Sequence, residues 1–216
     1  MKLKSFGCSF IFGSELHDDG YGTLRATPSQ HTWPALLARY HGLEYQCLAK
    51  PGSGNQRIAE SVLNQIESGE PAVYVIGWTW IERFDFLYRN RGHWHTITAW
   101  DTDELAEYYY KNIHSQYQDK LNSLLNIGIV LENLQKIGAR FLMTYMDDLL
   151  FETKFHHSAA MNLLQNQIRP HLHNFDGENF VDWSFNRGYP IGTRGKHPLE
   201  QAHQAAFEYM VNHHGL

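Results

Sequence analysis

The segment Pro71-Ala-Val-Tyr-Val-Ile-Gly77 constrains the fold more than any other, because it is an unbroken apolar run closed by a glycine. A strand that is apolar on both faces has to be covered on both, as in a parallel sheet sandwiched between helices. The same pattern recurs along the chain. Lys2-Leu-Lys-Ser-Phe6 runs into Gly7-Cys8-Ser9, and Leu43-Glu-Tyr-Gln-Cys-Leu-Ala49 into Lys50-Pro-Gly-Ser-Gly-Asn55; Gly138-Ala-Arg-Phe-Leu-Met-Thr-Tyr145 runs into Asp147-Asp148. Between these runs the apolar spacing changes to that of helices. Thr32 and Pro34 open one carrying Trp33, Leu36, Leu37 and Tyr40 and ending at Gly42; a second spans about 56–68. Leu105 through Leu134 predict two helices or one bent helix over 103–136, and a further helix is expected over about 158–168. A final helix has Leu199, Ala202, Ala206, Tyr209 and Met210 on its core face. Asn179-Phe-Val-Asp182-Trp183 reads as a short fifth strand. Strands alternating with helices in this way predict a three-layer α/β/α sandwich with a doubly wound, flavodoxin-like parallel sheet.

Two stretches fall outside this alternation. Ser14 to Gln30 is polar and glycine-rich, with a turn expected at Asp18-Asp19-Gly20-Tyr21-Gly22, and as a loop it would lie beside Ser9. An irregular insertion at about 81–100 is rich in aromatic residues and arginine, and forms a candidate pocket wall.

At 216 residues the chain suits one domain spanning 1–216. Its formal charge of -5, without a basic run, gives no attraction to nucleic acid or an anionic membrane. No window approaches the roughly 18 apolar residues of a membrane span. The stretch after Lys2 and Lys4 reads as a strand rather than a signal peptide. Two cysteines, Cys8 and Cys47, build no disulfide framework and fit a reducing, cytoplasmic setting. The 14 histidines include the pairs His93/His95, His156/His157, His171/His173 and His213/His214, yet none carries the helical spacing with an acid that marks a zinc site, so no metal is expected.

In an open parallel sheet the carboxyl ends of the strands face the ligand crevice. That edge collects Ser9 after the first strand, Gly52-Ser-Gly54-Asn55 after the second, Gly77 to Thr79 after the third, and His197 before the last helix. An acyl-transfer site needs a nucleophile, a base and preformed oxyanion donors. Ser9 and His197 have the side chains for the first two roles; the amides of Ser9 and Gly54, the Asn55 amide and the Thr79 hydroxyl are candidates for the third. Trp78, Trp80 and Phe84 either line an acyl or sugar pocket or cover the sheet end. Asp147-Asp148 reads as a solvated turn, and His203 as a residue of the final helix surface.

These blocks resemble those of the SGNH (GDSL-type) hydrolases, especially a phage- and marine-bacterial-like branch. The resemblance rests on Phe6-Gly7-Cys8-Ser9-Phe10, Pro51-Gly52-Ser53-Gly54-Asn55, Ile76-Gly77-Trp78-Thr79 and Lys196-His197-Pro198, and spans nearly the whole chain. It implies Ser9 as nucleophile, His197 as general base, and the Ser9 and Gly54 amides as oxyanion donors in an esterase or O-deacetylase that needs no cofactor. Its substrate would be a small-molecule or glycan ester. Cys8 stands where commoner members have aspartate, and Thr79 where they have asparagine. The family's acid precedes its histidine by a few residues, whereas here Arg194, Gly195 and Lys196 hold those places. The sequence thus leaves a Ser-His dyad or an acid from elsewhere, with Asp182 and Glu200 as candidates. The alternative is a catalytically degenerate module of the same fold that binds a glycan or a protein partner.

Overall fold

Every glycine-closed apolar run becomes a parallel strand in the computed structural model, which describes residues 1–20, 26–88 and 92–214. Tyr21 and Gly22 of the expected turn and residues 89–91 of the expected insertion lie outside these. The strands are β1 (Lys2–Phe6), β2 (Glu44–Cys47), β3 (Ala72–Trp78), β4 (Phe84–Leu87), β5 (Trp94–Ile97), β6 (Arg140–Tyr145) and β7 (Leu172–His173). The helices are α1 (Ser9–Phe12), α2 (Trp33–Tyr40), α3 (Asn55–Glu67), α4 (Glu104–Asn112), α5 (Gln116–Lys136), α6 (Ala159–Ile168), α7 (Phe180–Asn186) and α8 (Glu200–His213). No helix among the described residues is long and apolar enough to cross a membrane.

The main sheet has the order β2-β1-β3-β6-β7 and is parallel throughout. The chain moves from β1 outward to β2 and returns past β1 to β3, so its direction of winding reverses between β1 and β3, where such sheets open a crevice at their carboxyl end. Alternation along the strands fills both helical layers. Leu3, Val73, Val75 and Leu142 face Trp33, Leu37, Phe180, Trp183, Ala202, Ala206 and Met210 from α2, α7 and α8. Phe6, Tyr74, Ile76, Trp78 and Met143 face Ile58, Val62, Leu124, Ile127, Leu131 and Met161 from α3, α5 and α6. The fold is the expected three-layer α/β/α sandwich.

The details depart from expectation in two places, the fifth strand and the insertion, and decide between the two alternatives at 103–136. The fifth strand is the two-residue β7, while 179–183 begins α7: the Asn179 side chain accepts from the amides of Val181 and Asp182, and Phe180 and Trp183 are buried three residues apart on one face. This cap overrides the β preference of Phe-Val. The 103–136 pattern is two helices, each capped by its own side chain: Asp103 accepts from Leu105 and Ala106, and Ser115 from Gln118. The irregular insertion contains an antiparallel hairpin, with Phe84 opposite Ile97 and Phe86 opposite His95. Phe84 stacks on Tyr109 of α4 at a centroid distance of 4.2 Å.

Glycines fix how α1 meets the sheet. A Cβ at Gly7 would stand 2.6 Å from Ile11 Cγ1 and 2.9 Å from the Gly77 carbonyl, and one at Gly77 would stand 2.6 Å from Ile11 Cγ1. Ile11 therefore sits against two bare backbones, which pulls α1 onto the end of β3. Gly7→Ala is expected to lose about 1–3 kcal/mol of stability, measurable as a lower urea midpoint with an unchanged slope.

Candidate active site

Ser9 follows the Gly7 turn and is the first residue of α1, a single helical turn ended by Gly13 in the left-handed conformation at φ 83°. It thus sits on a helix start rather than on an extended strand end, where first-turn amides have no intrahelical acceptor. Its Oγ lies 2.8 Å from Nε2 of His197. His197 lies three residues before α8, and its carbonyl accepts from the Gly192 amide at 2.8 Å. The Phe10 ring packs on the imidazole at a centroid distance of 4.7 Å and in turn meets Trp80 edge-on at 5.4 Å.

The other imidazole nitrogen faces a residue that the sequence reading missed. Glu15, two residues past Gly13, places Oε2 2.7 Å from His197 Nδ1. The same oxygen accepts from the amides of Gly195 at 2.8 Å and His197 at 3.3 Å, and Oε1 accepts from the Arg194 amide at 2.7 Å. Burial alone would push this carboxyl up; the hydrogen bonds from His197 and the three amides outweigh it and hold it down at about 2. Glu15 has a φ of 71°, unusual for a residue with a side chain, and its own amide donates to Asp19 Oδ2 at 2.7 Å. The glycines of the facing segment make room: a Cβ at Gly192 would stand 2.5 Å from the Glu15 carboxyl carbon, and one at Gly195 would collide with the His197 ring.

The two sequence candidates for the acid are engaged elsewhere. Asp182 accepts from Asn179 Nδ2 at 2.7 Å within the cap of α7, and Glu200 Oε1 accepts from the amide and Nδ1 of His17, each at 2.9 Å. Glu15 carries no local mark of its role, because the histidine it meets lies 182 positions away. The signal available was the pair Gly192 and Gly195, which leaves main-chain amides bare for an anion.

The candidate oxyanion donors also fall differently. The Gly54 amide donates to Asp85 Oδ1 at 2.9 Å, and a Cβ there would collide with that carboxylate, so the glycine serves the hairpin rather than a substrate. Asn55 is fully used: its Oδ1 accepts from the Thr79 amide at 2.8 Å, and Nδ2 donates to the Thr79 carbonyl at 3.1 Å and to Ser123 Oγ at 3.0 Å. Thr79 is buried beneath this pair. Trp78 is fully buried in the core with Nε1 directed at Met143 Sδ, and Phe84 stacks behind the hairpin, so neither lines the cavity.

A cavity of about 830 Å³ opens over Ser9 and His197. Trp80, just past β3, together with Arg83, Thr96, Thr98 and Trp100 from the 81–100 region, forms one wall, with Pro51 and Gly52 of the second glycine turn and Ser14 and Asp19 around the rest. The Arg83 guanidinium lies 5.0 Å from the Trp80 ring and 5.8 Å from Trp100, and donates to the Ser53 carbonyl at 3.2 Å. Chemically, the arrangement is a hydroxyl that can pass its proton to an imidazole whose far side is fixed by a carboxylate.

Protonating Glu15 would release four donors. Because its folded-state pKa lies below the ordinary value of 4.5, the stabilisation it gives is complete above 4.5 and is lost as pH falls towards 2. The melting temperature of wild type minus that of Glu15→Gln should be constant from pH 7 to about 5 and shrink below it; a difference independent of pH would contradict the assigned bonds.

No protein-family profile and no curated protein sequence matches the chain. Solved structures do. It is similar to a G-D-S-L family protein from Desulfitobacterium hafniense DCB-2, with a TM-score of 0.54 at 10% identity, covering 98% of each chain. An acetylxylan esterase from Geobacillus stearothermophilus, solved as a catalytic mutant, matches with a TM-score of 0.55 at 11% identity, over 100% of this chain and 94% of that one. TesA matches with a TM-score of 0.57 at 12% identity, over 98% and 97%. The chain has the SGNH/GDSL hydrolase fold.

Proposed function

We propose that the chain is a serine ester hydrolase, an esterase or O-deacetylase working through an acyl-enzyme. The observation that carries this reading is the pair of short hydrogen bonds linking Ser9 Oγ to His197 Nε2 and His197 Nδ1 to Glu15. Ser9 Oγ attacks the ester carbonyl as His197 takes its proton; the imidazolium, stabilised by Glu15, then gives that proton to the leaving alcohol. Water repeats the sequence in reverse on the acyl-Ser9 ester. The oxyanion would be held by the Ser9 amide at the start of α1, with the backbone of Gly52 on the cavity wall as the second donor. Trp80, Trp100 and the Arg83 between them offer flat apolar faces beside a cation, suited to a small-molecule or glycan ester. An acetylxylan esterase among the similar structures fits that class. The alternative, a degenerate binding module, rests on the lack of an acid before His197 and on Thr79 in place of the asparagine; Glu15 supplies an acid from the opposite side of the site, while Thr79 remains. Cys8 and Cys47 are free thiols, which supports a cytoplasmic setting.

A fluorophosphonate probe should label wild type at Ser9, and p-nitrophenyl acetate should turn over. Ser9→Ala should do neither. Glu15→Gln should lower kcat by about 10⁴-fold with little change in KM, the scale seen when a triad acid is neutralised. Gly195→Ala, which presses on the imidazole, should also reduce kcat while the protein remains folded by circular dichroism. If wild type neither labels nor exceeds Ser9→Ala, the proposal fails.

A further inference from the structure

Two histidines and two carboxylates, His17, Asp18, His31 and Glu200, converge around the loop that carries Glu15. His17 and Asp18 lie two and three residues past Glu15 in that loop, and His31 comes from the segment leading into α2. One ligand atom from each of His17, Asp18 and His31 lies within 4.8 Å of the others, and the two rings tilt against each other at a centroid distance of 4.4 Å. A zinc ion holds its ligands at about 2.0–2.1 Å, which puts two tetrahedral ligands about 3.3 Å apart. The widest gap is no more than 4.8 Å and so has to close by at most about 1.5 Å for that geometry, a movement within reach of rotation of the exposed His17 and the half-buried His31 side chains.

Two further observations point to a cation. Glu200 Oε1 accepts from the His17 Nδ1 at 2.9 Å and from the His17 amide at 2.9 Å. Nε2 is then the nitrogen left for an ion, and a carboxylate behind a histidine is the arrangement that orients metal-bound imidazoles. Asp18 divides its oxygens: Oδ2 accepts from the Gln30 amide at 2.8 Å and stands 3.8 Å from His31 Nε2, whereas Oδ1 is buried without a hydrogen bond of its own among the described residues. Two imidazoles with one carboxylate suit zinc and its neighbours in the transition series, whereas calcium and magnesium call for oxygen ligands alone.

We propose that His17, Asp18 and His31 form a binding site for a zinc-class divalent cation, with Glu200 orienting His17. The ion joins three segments: the loop bearing Glu15, the lead into α2 and, through Glu200, the first turn of α8 that follows His197. It braces the two halves of the acid–base pair from outside the cavity and leaves a coordination position to water. This assignment stands independently of whether Ser9 hydrolyses esters.

The full chain, stripped with a chelator, would be titrated with zinc by calorimetry and with cobalt by visible absorption. Wild type should take up one equivalent that raises the melting temperature, with a cobalt spectrum of tetrahedral intensity. Glu200→Gln should weaken zinc binding by about 10- to 100-fold, and His17→Ala and His31→Ala should weaken it further and abolish the thermal shift. Uptake of equal affinity by wild type and the His17→Ala/His31→Ala double variant would assign the binding to other histidines and overturn the proposal, as would no uptake by wild type.

Discussion

A carboxylate that receives three main-chain amides and an imidazole cannot rotate without stranding all four donors, and this holds Glu15 in place. The constraint works in both directions. The segment from Arg194 to His197 is wrapped around an anion and so has a defined shape, although it is glycine-rich and belongs to no helix or strand. The backbone pays for this with left-handed residues on both sides, Glu15 at φ 71° and Lys196 at φ 53°. Such conformations cost on the order of 1–3 kcal/mol each and persist where surrounding bonds over-determine them. His197 is consequently positioned by main-chain geometry as well as by the packing of Phe10, and its Nε2 is left directed at Ser9.

The polar groups nearest in sequence to the glycine turns have a different task. Asp85 reaches from the hairpin to accept from the amides of Gly54 and Arg57 and from the Thr96 hydroxyl, and its burial pushes its carboxyl up despite these bonds. Asn55 pairs with both backbone groups of Thr79 as another peptide would, tying the start of α3 to the end of β3. Together they attach the pocket wall to the sheet edge. Groups that look like transition-state donors in the sequence are here the joints of the frame.

Much of the fold was legible because turn-forming residues bound the apolar runs and the runs alternate with helical spacing; glycine turns follow β1 and β2, Gly77 lies near the end of β3, and Gly138 precedes β6. The β7 strand was not legible, since Leu172-His173 is too short to show a period. At 179–183 the β-prone side chains hid a capping asparagine. His203, expected on the surface of the last helix, is buried, accepts from the Trp33 amide at 3.2 Å and has its pKa pushed down to about 3 by burial; its spacing from Leu199, Ala206 and Met210 already placed it on the core stripe. Asp147, expected in a solvated turn, is buried and accepts from the amides of Ile81 and Leu149. In the site, Ser9 and His197 were readable from short motifs. Glu15 was not, because nothing local to a glutamate in a polar loop indicates which distant amides it will meet.

The three groups of the site divide unequally along the chain. Ser9 begins α1 and Glu15 lies just past its end, six residues on, whereas His197 is 188 residues from Ser9. Closing so long a loop costs about 3 kcal/mol more in chain entropy than closing one of a few residues, and the whole sheet must assemble between the two ends. The nucleophile is close in sequence to the acid, but the amides that fix the acid arrive together with the base, on the segment from Arg194 to His197. Competence arrives with the docking of the last helix, so that reactivity at Ser9 reports completion of the fold rather than formation of its first half.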